Sequence, residues 1–320
     1  MRPSRRCFAM ALYLLVAWPA GAQIWPSKPL RVIVPIGAGS SVDLVARIVF
    51  EQVSAQLGQS IIVENRPGAG QTIGAAAVAK ADPDGYTLLV NSSAHTIAPA
   101  LHPNLTYDPV RDFVAVAPLG VTPFVLVVSP KTYANLADLI AAAKKRSGAL
   151  NFASPGVGSG SHLSSERFRL SAAVDAVHVP FKGGAEAMTE VMMGRIDFFF
   201  VVLGPALPFI RDGKLAALAV NGSRRSALLP DVPTMTEAGF KDAENPTWFG
   251  LFLPAGTPPA IVIRLRQETD KALAEPHVRE KLTALGVDPL VLAPRTFESF
   301  VAQEVAADAS LVKTLGLKVE

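Results

Sequence analysis

The stretch that most constrains this chain is Leu30 to Arg47, LRVIVPIGAGSSVDLVAR. Leu30 to Val34 is rich in β-branched residues, which suits a strand buried on both faces of an α/β sheet. From Asp43 onward, Leu44, Val45, Ile48, Val49, Val53 and Leu57 recur at helical spacing. Between strand and helix lie Gly37, Ala38, Gly39, Ser40 and Ser41, which carry little side chain. Ser40 or Ser41 can cap the helix, and Asp43, three residues after Ser40, makes an acidic variant of the capping box. A strand that opens a helix through such a loop presents bare N–H groups at the carboxyl edge of a sheet, where an anion can bind. Taken alone, a loop of this kind is more often an ordinary tight βα turn.

A second copy tips that balance. Leu150 to Ala153 reads as a strand, Ser154 to His162 (SPGVGSGSH) as loop and cap, and the segment through Leu163, Phe168 and Leu170 as a helix. The two glycine-serine loops lie about 120 residues apart in what read as different domains. The likeness is one of architecture, since the segments share no alignable sequence.

Strands and helices alternate through the rest of the chain. Further strands are expected at Ser60–Glu64, Tyr86–Val90, Phe113–Leu119, Phe124–Val128, Val177–Pro180, Ile196–Leu203 and Leu215–Val220. Helices are expected at Thr72–Lys80, at Leu136–Lys145, ending near Gly194, and briefly before the Asp212-Gly213 turn. Asn91 to Thr96 reads as a polar loop. A proline-rich stretch from Pro230 to Pro259 reads as irregular, followed by helices over Ile261–Leu273 and near 276–284 and 297–314. The fold class is therefore α/β, with two domains, each a doubly wound, mainly parallel sheet flanked by helices. Domain 1 is expected to be discontinuous, 23–121 and 225–320, with domain 2 at 122–224. Hinge strands near 113–128 and a return between 218 and 250 would join them.

The amino terminus reads as a cleavable signal peptide over residues 1–22. Arg2, Arg5 and Arg6 precede an apolar run from Phe8 to Trp18 and an Ala20-Gly21-Ala22 cleavage site. Its removal takes Lys+Arg from 30 to 27, equal to the 27 Asp+Glu, so the mature charge is about zero. Nucleic acid and anionic membranes thereby lose their electrostatic attraction as partners. Cys7, the one cysteine, leaves with the leader, which excludes disulfides, cysteine metal sites and a thiol nucleophile in the mature chain.

No catalytic signature is present: there is no G-x-S-x-G, no complete P-loop and no H-E-x-x-H. Gly37-Ala38-Gly39 and Gly156-Val157-Gly158 fail the dinucleotide fingerprint at Val42 and Ser161. The five histidines show no ligand spacing, so no metal or cofactor is expected. His162 either donates to an anion or packs locally, and His95 is the weaker candidate; His102 and His277 read as surface residues. Asp43 is already accounted for by the helix dipole, although it can also orient a water or a ligand amine. Lys182 and Arg66 sit in glycine-containing loops and either neutralise ligand charge or are merely solvated. Trp248-Phe249 reads as a core or hinge anchor.

Collinear motifs then point to a family. WPSKP at 25–29, VPIGAGSSVDLVAR at 34–47, VENRPGAG at 63–70, DPDGYTLL at 82–89, YDPVRDF at 107–113, ASPGVGSGSHL at 153–163, HVPFKGG at 178–184, LPDVPTMTEAGF at 229–240 and LPAGTPP at 253–259 together resemble the tripartite tricarboxylate transporter substrate-binding proteins, also called Bug receptors. The resemblance implies a periplasmic binding protein of the two-domain, Venus-flytrap, type II-like fold that closes on a small organic acid, typically a carboxylate. It implies that loops 36–43 and 156–162 grip carboxyl groups, while 91–96 and 180–184 line the remainder. The expected contacts are Ile36, Gly37, Gly39, Ser40, Ser41 and Asp43; Ser92, Ser93 and Thr96; Gly158, Ser159, Ser161 and His162; and Lys182 and Gly183. Membrane permease subunits are the implied partners, the receptor itself being a monomer. Ile36, Ser40, Phe181 and Gln71 depart from the family's usual Phe, Gly, Tyr and Gly, so ligand identity does not carry over. Two rivals remain: a ligand sensor for a signalling partner, and an enzyme using Ser159 or Ser161 with His162.

Overall fold

The computed structural model describes residues 25–290, 292 and 296–317; the expected leader lies outside them. The chain builds β1 (Leu30–Val34), α1 (Ser41–Leu57), β2 (Ile61–Asn65), α2 (Thr72–Ala79), β3 (Thr87–Ser92), α3 (Ala94–Leu101) and β4 (Phe113–Thr122). Beyond Pro123 come β5 (Phe124–Val128), α4 (Leu136–Lys145), β6 (Leu150–Ser154), α5 (Gly160–Ala172), β7 (Ala176–Pro180), α6 (Gly184–Met192), β8 (Phe198–Val202), α7 (Leu203–Arg211) and β9 (Ala216–Val220). The last elements are β10 (Thr247–Pro254), α8 (Pro259–Ala274), α9 (Pro276–Ala284) and α10 (Phe297–Leu315).

Two five-stranded sheets result, ordered β2-β1-β3-β10-β4 and β7-β6-β8-β5-β9. Each holds two parallel pairings followed by two antiparallel ones, so four strands run one way and one runs against them. The reversed strands are β10 and β5, those on which the chain has just crossed from the other sheet. The sheets are accordingly mixed, as a mainly parallel reading with hinge strands anticipates.

Both faces of each sheet are covered, and the side-chain period of two decides what goes where. Leu30, Val32 and Val34 of β1 face α1, α8 and α9, whereas Ile33 joins Leu89, Phe252, Phe297 and Phe300 under α2 and α10. In the second sheet Phe198 and Phe200 pack toward α4 and α5, and Phe199 and Val201 toward α6 and α7. Four apolar layers on two sheets make a doubly wound architecture.

Three sequence expectations change. First, 247–254 is a strand, fully buried on both faces. Second, residues 94–101 form a helix where a polar loop is expected; its one proline, Pro99, sits inside it. Third, the boundary at 224/225 falls too early, because Leu228, Leu229 and Val232 pack on the α6–α7 face and Met235, Ala243 and Phe240 on the α4–α5 face. The chain thus stays against the second sheet to Ala243 and returns over 244–247. Asn221 ties the two crossings together. Its Oδ1 accepts from Phe124 N–H at 2.7 Å, and its Nδ2 donates to the Asn245 carbonyl at 2.9 Å and to Ser164 Oγ at 3.0 Å.

Candidate functional site

The two glycine-serine loops fold through the same three hydrogen bonds. In the first, Gly39 turns at φ +77°, a left-handed conformation that favours glycine. Ser40 then caps α1 by accepting from Asp43 N–H at 3.4 Å, and the Asp43 carboxylate reaches back to accept from Gly39 N–H at 2.9 Å. In the second, Gly158 also turns at φ +77°, Ser159 caps α5 through His162 N–H at 3.3 Å, and His162 Nδ1 accepts from Gly158 N–H at 3.1 Å. Ser40 N–H and Ser159 N–H donate to the carbonyls of Gly37 and Gly156. The segments therefore do align, Gly37-x-Gly39-Ser40 upon Gly156-x-Gly158-Ser159, with Asp43 and His162 in one role. The capping box is also modified: Asp43 returns to Gly39 rather than to Ser40.

Electrostatics keep both clasps in the form the geometry needs. Burial by itself would raise the Asp43 pKa, but hydrogen bonds from Arg47, Gly39 N–H and Asn65 outweigh it and hold the carboxyl below its ordinary value. Burial, with lesser contributions from His178 and Arg169, pushes His162 down to about 3, so its ring is neutral and Nδ1 is free to accept. Its one ring proton therefore sits on Nε2, 3.8 Å from Glu166. His178 stacks on His162 with ring centroids 3.9 Å apart, is pushed down to about 4 by burial, and bonds Ser154 Oγ at 2.7 Å.

With the third N–H of each helix capped, the first two stay open. Among the described residues, Ser41 and Val42 N–H of α1 and Gly160 and Ser161 N–H of α5 have no acceptor in the protein. All four residues border one cavity of about 240 Å³ between the two sheets, as do Gly183, Gly184 and Ala185 at the start of α6. Three helix N-termini thus share one space, and each carries partial positive charge. Lys182, exposed, is the one charged side chain at its edge, and its Nζ has no acidic partner among the described residues.

Of the residues anticipated from sequence, Ile36, Gly37, Gly39, Ser40, Ser41, Ser92, Ser159, Ser161, Lys182 and Gly183 border the cavity. Five others do not. Asp43 and His162 lie behind their loops as the clasps just described, and Gly158 faces Leu101. Ser93 Oγ is bonded to Thr247 Oγ1 at 3.0 Å, and Thr96 Oγ1 donates to Asp308 at 2.7 Å. His95 is a core residue, fully buried, bonded to the Pro109 carbonyl and edge-on to Phe113. Sequence reasoning missed the apolar side of the cavity: Phe124, Met188, Phe199, Val201 and Phe249. Long-range packing brings these together, and only Phe249 had a local signal, as half of the aromatic pair. Ser159 Oγ donates to Gly156 O, and among the described residues neither it nor Ser161 Oγ is bonded to the His162 ring, so neither serine–histidine pairing of the enzyme rival is formed. Among the described residues no cluster of three or more His, Cys, Asp or Glu could hold a metal, and no helix is long and apolar enough to cross a membrane.

Two doubly wound lobes, crossed twice by the chain and enclosing a cavity rimmed by helix N-termini, define a two-lobed solute-binding protein. The chain belongs to the tripartite tricarboxylate transporter receptor family, TctC, whose pattern matches residues 45–317. Protein BugT of Bordetella pertussis is 36% identical over 308 residues, 95% of this chain and 94% of that protein. The structure of the periplasmic binding protein BugD aligns with TM-score 0.86 at 33% identity, over 92% of this chain and 100% of that one. MatC from Rhodopseudomonas palustris with bound malate aligns with TM-score 0.83 at 35% identity, over 90% of this chain and 100% of that one. An R. palustris protein with adipate gives TM-score 0.87 at 30% identity, over 92% and 100%.

Proposed function

We propose that this chain is a periplasmic receptor that captures a small carboxylate between its lobes and delivers it to the permease of a tripartite tricarboxylate-type transporter. The observation that carries this reading is the convergence of unbonded N–H groups from α1 and α5 on one cavity, one helix from each lobe. An anion bound there bridges the lobes and favours the closed form, because it completes the hydrogen bonding of both helix ends only when they approach. The expected contacts are Ser40, Ser41, Ser159 and Ser161 with their backbone N–H groups, and Lys182 as a long-range attraction. Asp43, Gly158 and His162 act by shaping the loops. The two crossings, at Pro123 and over 244–247, serve as the hinge. The malate- and adipate-bound relatives support the ligand class, and the family supports the transporter partnership and the absence of a reaction.

Thermal unfolding of refolded, ligand-stripped protein against a panel of carboxylates tests the reading. Ligand at 100 times Kd stabilises by about 2.7 kcal/mol, worth several degrees. A flat response, with no small molecule retained in native mass spectrometry of the protein as purified, rejects the carboxylate assignment. Uptake into vesicles carrying the permease, dependent on added receptor, tests the partnership.

A further inference from the structure

The cavity has a second character that the helix ends do not explain. Phe199 and Val201 alternate along β8 and so share a face, and Met188 of α6 packs on them. All three belong to the core between the second sheet and α6–α7, are at most 4% exposed, and border the cavity. The cavity's inner wall is therefore the open edge of that core, with Phe249 of the first lobe also bordering it. Hydrogen-bonding capacity sits elsewhere. Ser161, 3% exposed, borders the cavity at the α5 start and its Oγ has no partner among the described residues, whereas Thr247 is occupied by Ser93. Gln71 and Ser92 border it from the first lobe and are bonded to each other, Ser92 Oγ donating to Gln71 Oε1; among the described residues no arginine borders the cavity, and Lys182 is exposed.

From this division we infer that the ligand is a monocarboxylate with an apolar body. Its carboxylate is held at the helix N-termini, and its body lies against Met188, Phe199, Val201 and Phe249. The inference rests on the carboxylate reading above and narrows it. A second carboxylate pressed against this wall loses its water and meets no donor in return, whereas a methylene there gains by leaving water.

Isothermal titration calorimetry of the refolded, ligand-stripped protein with butyrate, hexanoate, benzoate, malate, adipate and hexanamide tests it. Hexanoate and benzoate are expected to bind at least about tenfold more tightly than malate or adipate. Affinity is expected to rise about fourfold per methylene from butyrate to hexanoate. Malate or adipate binding as tightly as hexanoate overturns the apolar-body inference and leaves the carboxylate reading standing. Hexanamide matching hexanoate, or no binding by any carboxylate, overturns both. Val201→Thr, nearly isosteric, should weaken hexanoate several-fold while leaving the thermal midpoint of the ligand-free protein within a few degrees; unchanged hexanoate affinity in that variant overturns the wall assignment. Met188→Lys should shift preference toward adipate by supplying the missing partner, and a folded Met188→Lys protein that keeps the parent's preference overturns it as well.

Discussion

At the scale of single residues, Asp43 and His162 carry the loops without touching the cavity. Each offers an acceptor to the N–H of a glycine in left-handed conformation, and each stays in its accepting form because of its surroundings. Asp43→Ala removes the acceptor of Gly39 N–H, one of the two acceptors of Asn65 Nδ2 and the carboxylate partner of the half-exposed Arg47, which keeps Asn65 Oδ1, so it should cost about 1–3 kcal/mol in urea unfolding and weaken ligand binding in parallel. The pH signs agree for the two residues. The folded pKa of Asp43 lies below 3.8, so its contribution is present above that value and is lost as pH falls beneath it. The folded pKa of His162 lies at about 3, below 6.5, so its contribution is present above 6.5 and is lost as pH falls through about 3. Stability should therefore begin to fall below pH 6.5 through His162, and below pH 4, where the folded clasps themselves protonate, ligand affinity should fall with it, read by calorimetry and by unfolding midpoints; affinity that persists below pH 4 while stability falls would detach the clasps from binding. Asp43 is visible in sequence as a first-turn acid three residues after a serine. That it would reach past the cap to Gly39 is not, because the choice depends on where the loop places that N–H.

At the scale of elements, the two loops are copies whose surroundings differ, and this separates the roles of their glycines. A Cβ on Gly39 meets nothing within 4 Å, whereas a Cβ on Gly158 collides with Leu101 Cδ1 of α3. Gly39→Ala should thus cost only the left-handed penalty of about 1–2 kcal/mol. Gly158→Ala adds a clash with a side chain of the other lobe, and should cost about 1–3 kcal/mol more and weaken ligand binding further. Urea unfolding of both variants checks this, and equal losses would mean that Leu101 yields freely. The same contrast explains what could be read in advance. β1, α1, β6 and α5 announce themselves by β-branched runs, serine caps and helical periodicity. β10 was hidden because Pro246 and Pro254 bracket it and Gly250 interrupts it, yet Gly250 is there because a Cβ would strike Phe297. Its apolar run without alternation reflects burial on both faces. α3 was hidden by its polar start, Asn91 to Thr96, and by Pro99; packing against α10 makes it a helix.

At the scale of the whole molecule, the lobes meet a second time away from the cavity. Leu163 of α5 packs with Ile97 and Leu101 of α3 and Val312 of α10. Beside this contact, Asp308 of α10 accepts from Thr96 of α3, with Glu304 on its own helix and Arg167 of α5 close enough to act on its charge. Burial is the largest influence and raises the Asp308 pKa to about 7; Glu304 adds to the rise, while the Thr96 bond and Arg167 oppose it. The folded pKa lies above the unfolded value of 3.8, so the contribution of Asp308 is fully present below about pH 4 and is lost as pH rises through about 7. The buried histidines 95, 162 and 178 act with the opposite sign, favouring the folded state as pH rises toward 6.5. Asp308→Asn keeps an acceptor for Thr96 and removes the ionisation alone. Relative to the parent, this variant should therefore gain about 2–3 kcal/mol between pH 5 and pH 8, with the histidine contributions common to both proteins. Denaturant unfolding across that range measures the difference directly. Parallel curves would mean that Arg167, approaching from the other lobe, already offsets the cost of the charge, and that lobe contact rather than burial governs this carboxyl.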